Sequence, residues 1–371
     1  MTTPAHRRIL DQITRRGPIS FAEFMEIALY DPEGGYYARR APHPAGVEGD
    51  FVTSPHVSPA FGTLLAGFAT AAWDALGRPG AFRVVDVGAG DATLLRTIAG
   101  ALSGDSTLGR AASFVAIERS MDAASASKGR SGDELTWAAS LAELSPLEGV
   151  VLANELLDNL PFHRVARRAD GEVREVLVGL DGDALTFVEG APSLDAVRLA
   201  GESLAPGTER VVPTGAWEFV DALARTLRRG YAVLVDYAAP PGADARDAVH
   251  GYRRHRALAD VLSHPGTQDI TAGVDFDEIA VRARARGLSA WGPVSQRDLL
   301  RSLGFAEWDR AALSEQGLAQ RERRGVDAAR RYSERNAARL LVDPAGLGGF
   351  AVLCLGAGVN PDALPPGFPE G

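Results

Sequence analysis

Two glycines and several carboxylates are spaced so that one edge of an open α/β sheet would gather them. The segment Asp86-Val-Gly88-Ala-Gly90-Asp91-Ala-Thr93 directly follows a short apolar run. Glycine at 88 and 90 lets the chain turn sharply out of a strand and leaves its backbone open to a ligand, with a helix to follow. A G-x-G turn alone is weak evidence, because tight strand-to-helix turns use glycine whatever they bind. Two details narrow the ligand. The third glycine of the dinucleotide fingerprint is absent, with Thr93 in its place. Asp91 would also set a carboxylate where a pyrophosphate sits at a helix N-terminus, and like charges oppose that. S-adenosylmethionine, an adenosine ligand without phosphate, removes the conflict. Glu118 ends the next apolar run, where a carboxylate can accept from both ribose hydroxyls; a solvated strand-end acid is the plainer alternative.

A second group follows the run Val150-Val-Leu-Ala. Asn154 and Glu155 come immediately after it, Asp158 lies one turn on, and Pro161 limits any helix. Asp236-Tyr237 repeats the pattern after another apolar run. Glu155, Asp158 and Asp236 are therefore expected to converge on one cleft. Such acids suit a cationic nucleophile, because a guanidinium donates in a planar fork that matches carboxylates. A carboxylate there would hold one nitrogen in line with a sulfonium methyl and take up charge as the proton leaves. Asn and Asp are also good helix caps, and capping alone would explain at least one of these acids.

The elements that must position these groups are legible as short aliphatic runs. Phe82 to Val87, Phe114 to Ile117, Val150 to Ala153, Ala232 to Val235 and Phe350 to Leu355 are such runs, several separated by helical segments. That alternation predicts a doubly wound, Rossmann-like parallel sheet. Residues 1–80 read as a helical and loop region ahead of the sheet, with Ser20-Phe-Ala-Glu23 as a capping box. Residues 81–357 form the sheet domain, and 358–371 a tail. Within the domain, alternation around Asp170-Gly171 and Asp181-Gly182 predicts an antiparallel β insertion at about 163–200. Ala238 to Val274 is expected to be a long loop, and a further strand is expected near 288–291.

Composition sets limits on this picture. The chain has 371 residues, 46% hydrophobic and 23% charged, enough for a sizeable core. Its net charge of −9 argues against general affinity for nucleic acid. A start without an apolar stretch and no run long enough to span a bilayer predict a cytoplasmic protein. His250, His255 and His264 share a loop but not the spacing of a helical zinc pair, and one cysteine adds nothing, so no metal is expected. His255 is a candidate proton shuttle; hydrogen bonding inside the loop is the competing role.

The ordered motifs together resemble the MidA family of methyltransferases, from about residue 17 to 356. They are Gly17-Pro-Ile-Ser-Phe21, Tyr30-Asp-Pro with Gly35-Tyr-Tyr37, Gly49-Asp-Phe-Val-Thr-Ser-Pro55, the glycine turn, and Asn154-Glu-Leu-Leu-Asp158. Asp236-Tyr237, Gly251-Tyr252 with His255, and Pro265-Gly-Thr-Gln-Asp-Ile-Thr271 complete them. The resemblance implies S-adenosylmethionine as cofactor, with Gly49, Asp50, Phe51, Thr53 and Ser54 closing over it beside Asp86, Gly88, Gly90, Glu118 and Asn154. It implies a protein substrate, an arginine of a respiratory complex I subunit for the mitochondrial relatives. It leaves open whether Asp269 is catalytic or structural. A small-molecule methyltransferase and a catalytically silent cofactor-binding assembly factor are the rival readings. Three positions depart from the family pattern: Ala89 and Ala92 replace Pro and Gly, Ala238 replaces Gly after Asp236-Tyr237, and Gly273 replaces a His.

Overall fold

A computed structural model describes residues 3–39, 53–103, 107–119, 135–240, 242–253, 256–258, 260–322 and 324–369. The aliphatic runs become the strands of a seven-stranded sheet: β1 (Phe82–Val87), β2 (Ala112–Ile117), β3 (Leu135–Ala138), β4 (Leu147–Asn154), β5 (Leu227–Asp236), β6 (Ser289–Ser295) and β7 (Ala351–Ala357). Their spatial order is β3-β2-β1-β4-β5-β7-β6. β1 through β5 pair in parallel, but β7 runs antiparallel to both β5 and β6. The expected parallel sheet is thus a mixed one. The Rossmann-like α/β class holds, and the runs are mostly apolar because helices cover both faces.

The helices that bear on the site are α1 (Pro4–Arg16), α2 (Phe21–Tyr30), α3 (Ala60–Ala75), α4 (Thr93–Leu102), α5 (Thr214–Thr226), α6 (Phe276–Ala285) and α7 (Gln296–Ser302). A helical hairpin of α8 (Phe305–Arg321) and α9 (Gly325–Leu340) follows. On one face of the sheet Phe61, Leu65 and Phe68 of α3 and Leu95 and Ile98 of α4 pack on Val84, Val150 and Val233. On the other, Val220 and Leu223 of α5 and Ile279 of α6 cover Val85, Val151 and Leu234. α3 therefore packs as part of the main domain, although it falls within the N-terminal region drawn to residue 80. The tail is not free either: Phe368 is buried in the first of these layers.

A third core joins α1 and α2 to two smaller sheets. Ile9, Phe21, Phe24 and Leu29 pack against Phe162, Val178, Val249 and Ile270. The predicted capping box of α2 forms, Ser20 Oγ accepting from Glu23 N while Ser20 N donates to Glu23 Oε2, each at 3.1 Å. The β insertion comprises strands His163–Arg167, Val173–Asp181 and Ala184–Gly190, helix Asp195–Glu202 and strand Thr208–Val212. It ends at Val212, beyond the expected residue 200. The segment expected as one long loop, 238–274, instead carries a three-stranded antiparallel sheet: Val249–Arg253, Arg256–Leu258 and Asp269–Ala272. These strands have three to five residues, too short for alternation to declare itself.

Candidate active site

At the C-terminal end of β1 the chain turns through Gly88 (φ 73°) and Gly90 (φ 53°), both in the left-handed region. A Cβ on Gly88 would stand 2.9 Å from the end of the Leu156 side chain, which can shift, so it is the backbone conformation that calls for glycine here. Glu118, just past β2, accepts from Gly90 N at 3.1 Å and so ties the turn to the neighbouring strand end. Asp91 Oδ1 accepts from Thr93 N at 2.9 Å at the start of α4. His56 bridges to this corner, one ring nitrogen 3.5 Å from Asp91 Oδ2 and the other 2.7 Å from Thr53 Oγ1. Burial alone would raise the Asp91 carboxyl, but hydrogen bonds from His56 and Thr93 outweigh it and hold it at about 2. Asp86 lies under the turn. Burial, then the charges of Glu118 and Asp91, push its carboxyl up to about 8.

β4 delivers the second group. Asn154 is its last residue, and Glu155 then adopts φ 54°, a conformation that costs a side-chain-bearing residue free energy. That kink is anchored: Glu155 N donates to Val235 O at 2.8 Å, and Glu155 Oε1 accepts from Ser54 N at 3.1 Å and Asn154 Nδ2 at 2.9 Å. Burial raises the Glu155 carboxyl to about 8; those two bonds pull it down and the charge of Asp236 pushes it further up.

Asp236 does not join the cleft. Its Oδ2 accepts from Leu157 N (2.7 Å) and Asp158 N (3.2 Å), and its Oδ1 from Tyr237 N (2.8 Å). All its strong acceptor positions are spent on backbone, so it staples the Glu155 turn to the end of β5. Burial lifts it to about 6 against those bonds. Of the three acids expected to converge, Glu155 alone lines the cavity. Asp158 sits behind it, with a buried Oδ1 that has no hydrogen-bond partner among the described residues. Burial and the charges of Asp236, Asp269 and Glu155 raise its carboxyl well above the usual range. Asp269 is structural in its contacts: Oδ1 accepts from Tyr37 OH (3.0 Å), Asn159 Nδ2 (2.9 Å) and Ile270 N (2.9 Å).

These elements enclose a cavity of about 330 Å³. Thr53, Asp86, Gly88, Gly90, Glu118, Asn154 and Glu155, all singled out from sequence, line it. Ser54 is fully buried behind Glu155 and reaches it through its N–H. Gly49, Asp50, Phe51 and His255 lie outside the described residues. Sequence reasoning missed His56 and Arg119, and the apolar walls Ile117, Leu141 and Phe219. His56 stands two residues beyond the quoted Ser54, which was its one signal; Phe219 carries none, because only the fold brings α5 to this cavity. Tyr30 and Tyr37 line the end of the cavity nearest Asp269, their rings stacked at 5.5 Å, with the Arg119 guanidinium 4.4 Å from the Tyr30 ring centre.

Residues 64–294 match the model of a family of S-adenosyl-L-methionine-dependent methyltransferases. The chain belongs to that family, in its MidA-type branch. This methyltransferase is 31% identical over 334 residues to protein arginine methyltransferase NDUFAF7, mitochondrial, of Bos taurus, with 82% of this chain and 74% of that one covered. The Homo sapiens protein of the same name is 30% identical over 335 residues, with the same coverage. A superfamily member from Burkholderia thailandensis, crystallised with S-adenosylhomocysteine bound, superposes with a TM-score of 0.81 at 28% identity, covering 99% of this methyltransferase and 94% of that chain. The donor set fits the cofactor: an open glycine turn, a carboxylate at a strand end for diol hydroxyls, apolar walls for a base, and a buried Asn154 Oδ1 without a partner among the described residues.

Proposed function

We propose that this methyltransferase transfers the methyl group to a guanidinium nitrogen of an arginine in a protein substrate, with Glu155 as the acid-base group. The observation that carries the reading is the placement of Glu155. It is half-buried, held by two hydrogen bonds, and lines the cavity together with the glycine turn on one side and Tyr30 and Tyr37 on the other. Bound S-adenosylmethionine supplies an electrophilic methyl on a sulfonium. Glu118 would take the ribose hydroxyls, Ile117, Leu141 and Phe219 would enclose the adenine, and Asp86 and Asn154 would hold the amino-acid end. Thr53, with His56, closes the cavity from the N-terminal side.

The tyrosine-lined corner suits a planar cation, which can stack on the rings while donating to a carboxylate. A guanidinium entering it brings Glu155 the counter-charge it lacks, so that carboxyl ionises as the substrate arrives. Glu155 then orients the attacking nitrogen and accepts the proton it releases. The relatives named as protein arginine methyltransferases support the acceptor class.

The test supplies methyl-labelled cofactor and enzyme to a lysate from a strain lacking the enzyme, then identifies the modified residue by mass spectrometry. Label on arginine is the expected result. Glu155→Gln should keep cofactor affinity within about threefold and lower turnover roughly 10²-fold. Label on a small molecule or another side chain would overturn the arginine assignment.

A further inference from the structure

Gln296 opens α7 directly after β6, remote in sequence from every motif singled out above, and its side chain is fully buried. Both ends of its amide are used. Nε2 donates to Leu341 O, at the C-terminus of α9, at 3.0 Å. Oε1 accepts from the Ser54 hydroxyl at 3.0 Å. Its backbone N donates to Phe350 O at 2.7 Å, which fixes the residue against the start of β7. The amide cannot flip, because Oε1 would then face the Leu341 carbonyl and leave two acceptors opposed in a buried site. Ser54 in turn is fully buried, and its N–H reaches Glu155 Oε1 at 3.1 Å.

We propose that Gln296 is a positioning residue for methyl transfer: by gripping the Ser54 hydroxyl it sets the Ser54 N–H that holds the Glu155 carboxylate. This rests on the reading of Glu155 as the acid-base group. The relay Leu341–Gln296–Ser54–Glu155 connects the root of the α8–α9 hairpin to the cavity through three consecutive hydrogen bonds, and it uses no group that touches substrate except Glu155. The groups facing Glu155 are Asp236 at the end of β5, Asp158 on its own turn, the Asn154 amide and the Ser54 N–H. Burial and the charge of Asp236 raise its carboxyl, and both hydrogen bonds lower it. Weakening the Ser54 bond therefore moves Glu155 toward the protonated form.

The experiment compares wild type with Gln296→Met, which keeps length and volume while removing both amide bonds, and with Ser54→Ala, which removes only the hydroxyl. Each should lower kcat about tenfold, the scale of one buried hydrogen bond lost. Each should also shift the acid limb of the kcat–pH profile upward, with cofactor Kd from calorimetry within about threefold. The double variant should be no worse than the more damaged single one, because both changes break one relay. In a Glu155→Gln background neither should cost anything further. Normal kcat and an unmoved acid limb in both single variants, with Glu155→Gln inactive, would overturn the positioning role and leave the acid-base reading intact. Near-normal turnover of Glu155→Gln itself would remove the reading beneath it. If Gln296→Met fails to fold, Ser54→Ala carries the same comparison.

Discussion

Asp86 and Glu155 line one cavity, and burial lifts both carboxyls to about 8. A sulfonium beside them favours their ionised forms, so binding should expel protons near neutral pH. The affinity for S-adenosylmethionine should therefore rise with pH between about 6 and 8, and less so for S-adenosylhomocysteine, which has lost the sulfonium. Calorimetry in two buffers of different ionisation enthalpy measures the protons released; uptake, or no release, would contradict the assignment. Glu118→Ala would remove the proposed ribose acceptor and free Gly90 N, so cofactor binding should weaken by about 1–3 kcal/mol in the same measurement. How far such residues were legible depended on what their pattern could distinguish. Polar residues directly after an apolar run pointed to Asn154 and Glu155, which line the cavity. The same pattern pointed to Asp236, whose oxygens turn out to be spent on the backbone N–H groups of Leu157, Asp158 and Tyr237. Gln296 and Phe219 left no trace in sequence, since what they do depends on chain segments distant from them.

The glycine turn and the helix after it show where an element stores strain. Ala92, the residue before α4, takes φ 59° and ψ 25°, the left-handed region, at a position where the family pattern has glycine. A Cβ in that region costs about 1–2 kcal/mol, partly offset by the freedom glycine adds to the unfolded chain. Ala92→Gly should therefore raise stability by about 0.5–1 kcal/mol in urea denaturation without changing cofactor affinity. A drop in stability would mean the Ala92 methyl, fully buried in the core, contributes more by packing than it costs in strain. The reverse holds at Gly273. A Cβ there would stand 2.8 Å from the Ala239 backbone, so the histidine of the family pattern has no room in this chain. At this scale the long central strands were readable because both faces are buried and their middles are runs of apolar residues. The short strands between 249 and 272 were not, because His250, Tyr252 and Arg256 interrupt any run. The antiparallel placement of β7 was not either, since composition carries no direction.

Across the whole molecule, buried acids shape the pH dependence of folding. Asp86, Glu155 and Asp158 all have carboxyls raised in the folded state from ordinary values of 3.8 to 4.5. A raised group contributes stability that is complete below its unfolded pKa and is lost as pH climbs through the folded one, here at about 8 for the first two. Opposing these, Asp91, Asp221 and Asp244 are held at about 2, and their contribution disappears only as pH falls below about 4. Asp221 and Asp244 pair with Arg282, Arg286 and Arg246, whose side chains stand partly in solvent, so screening leaves them little weight. Without ligand, the thermal midpoint should therefore peak near pH 5 and fall toward pH 8. The net charge of −9 pushes the same way through self-repulsion, so the trend by itself does not locate the cause. Asp158→Asn separates the two. It changes the total charge by one at most, yet removes a buried acid whose Oδ1 has no partner among the described residues. It should raise the midpoint at pH 8 and leave it nearly unchanged at pH 5. Calorimetric scans of both proteins at the two pH values, with and without saturating S-adenosylmethionine, make the comparison. An equal shift at both pH values would mean that Asp158 acts through packing and that its charge carries none of the pH dependence.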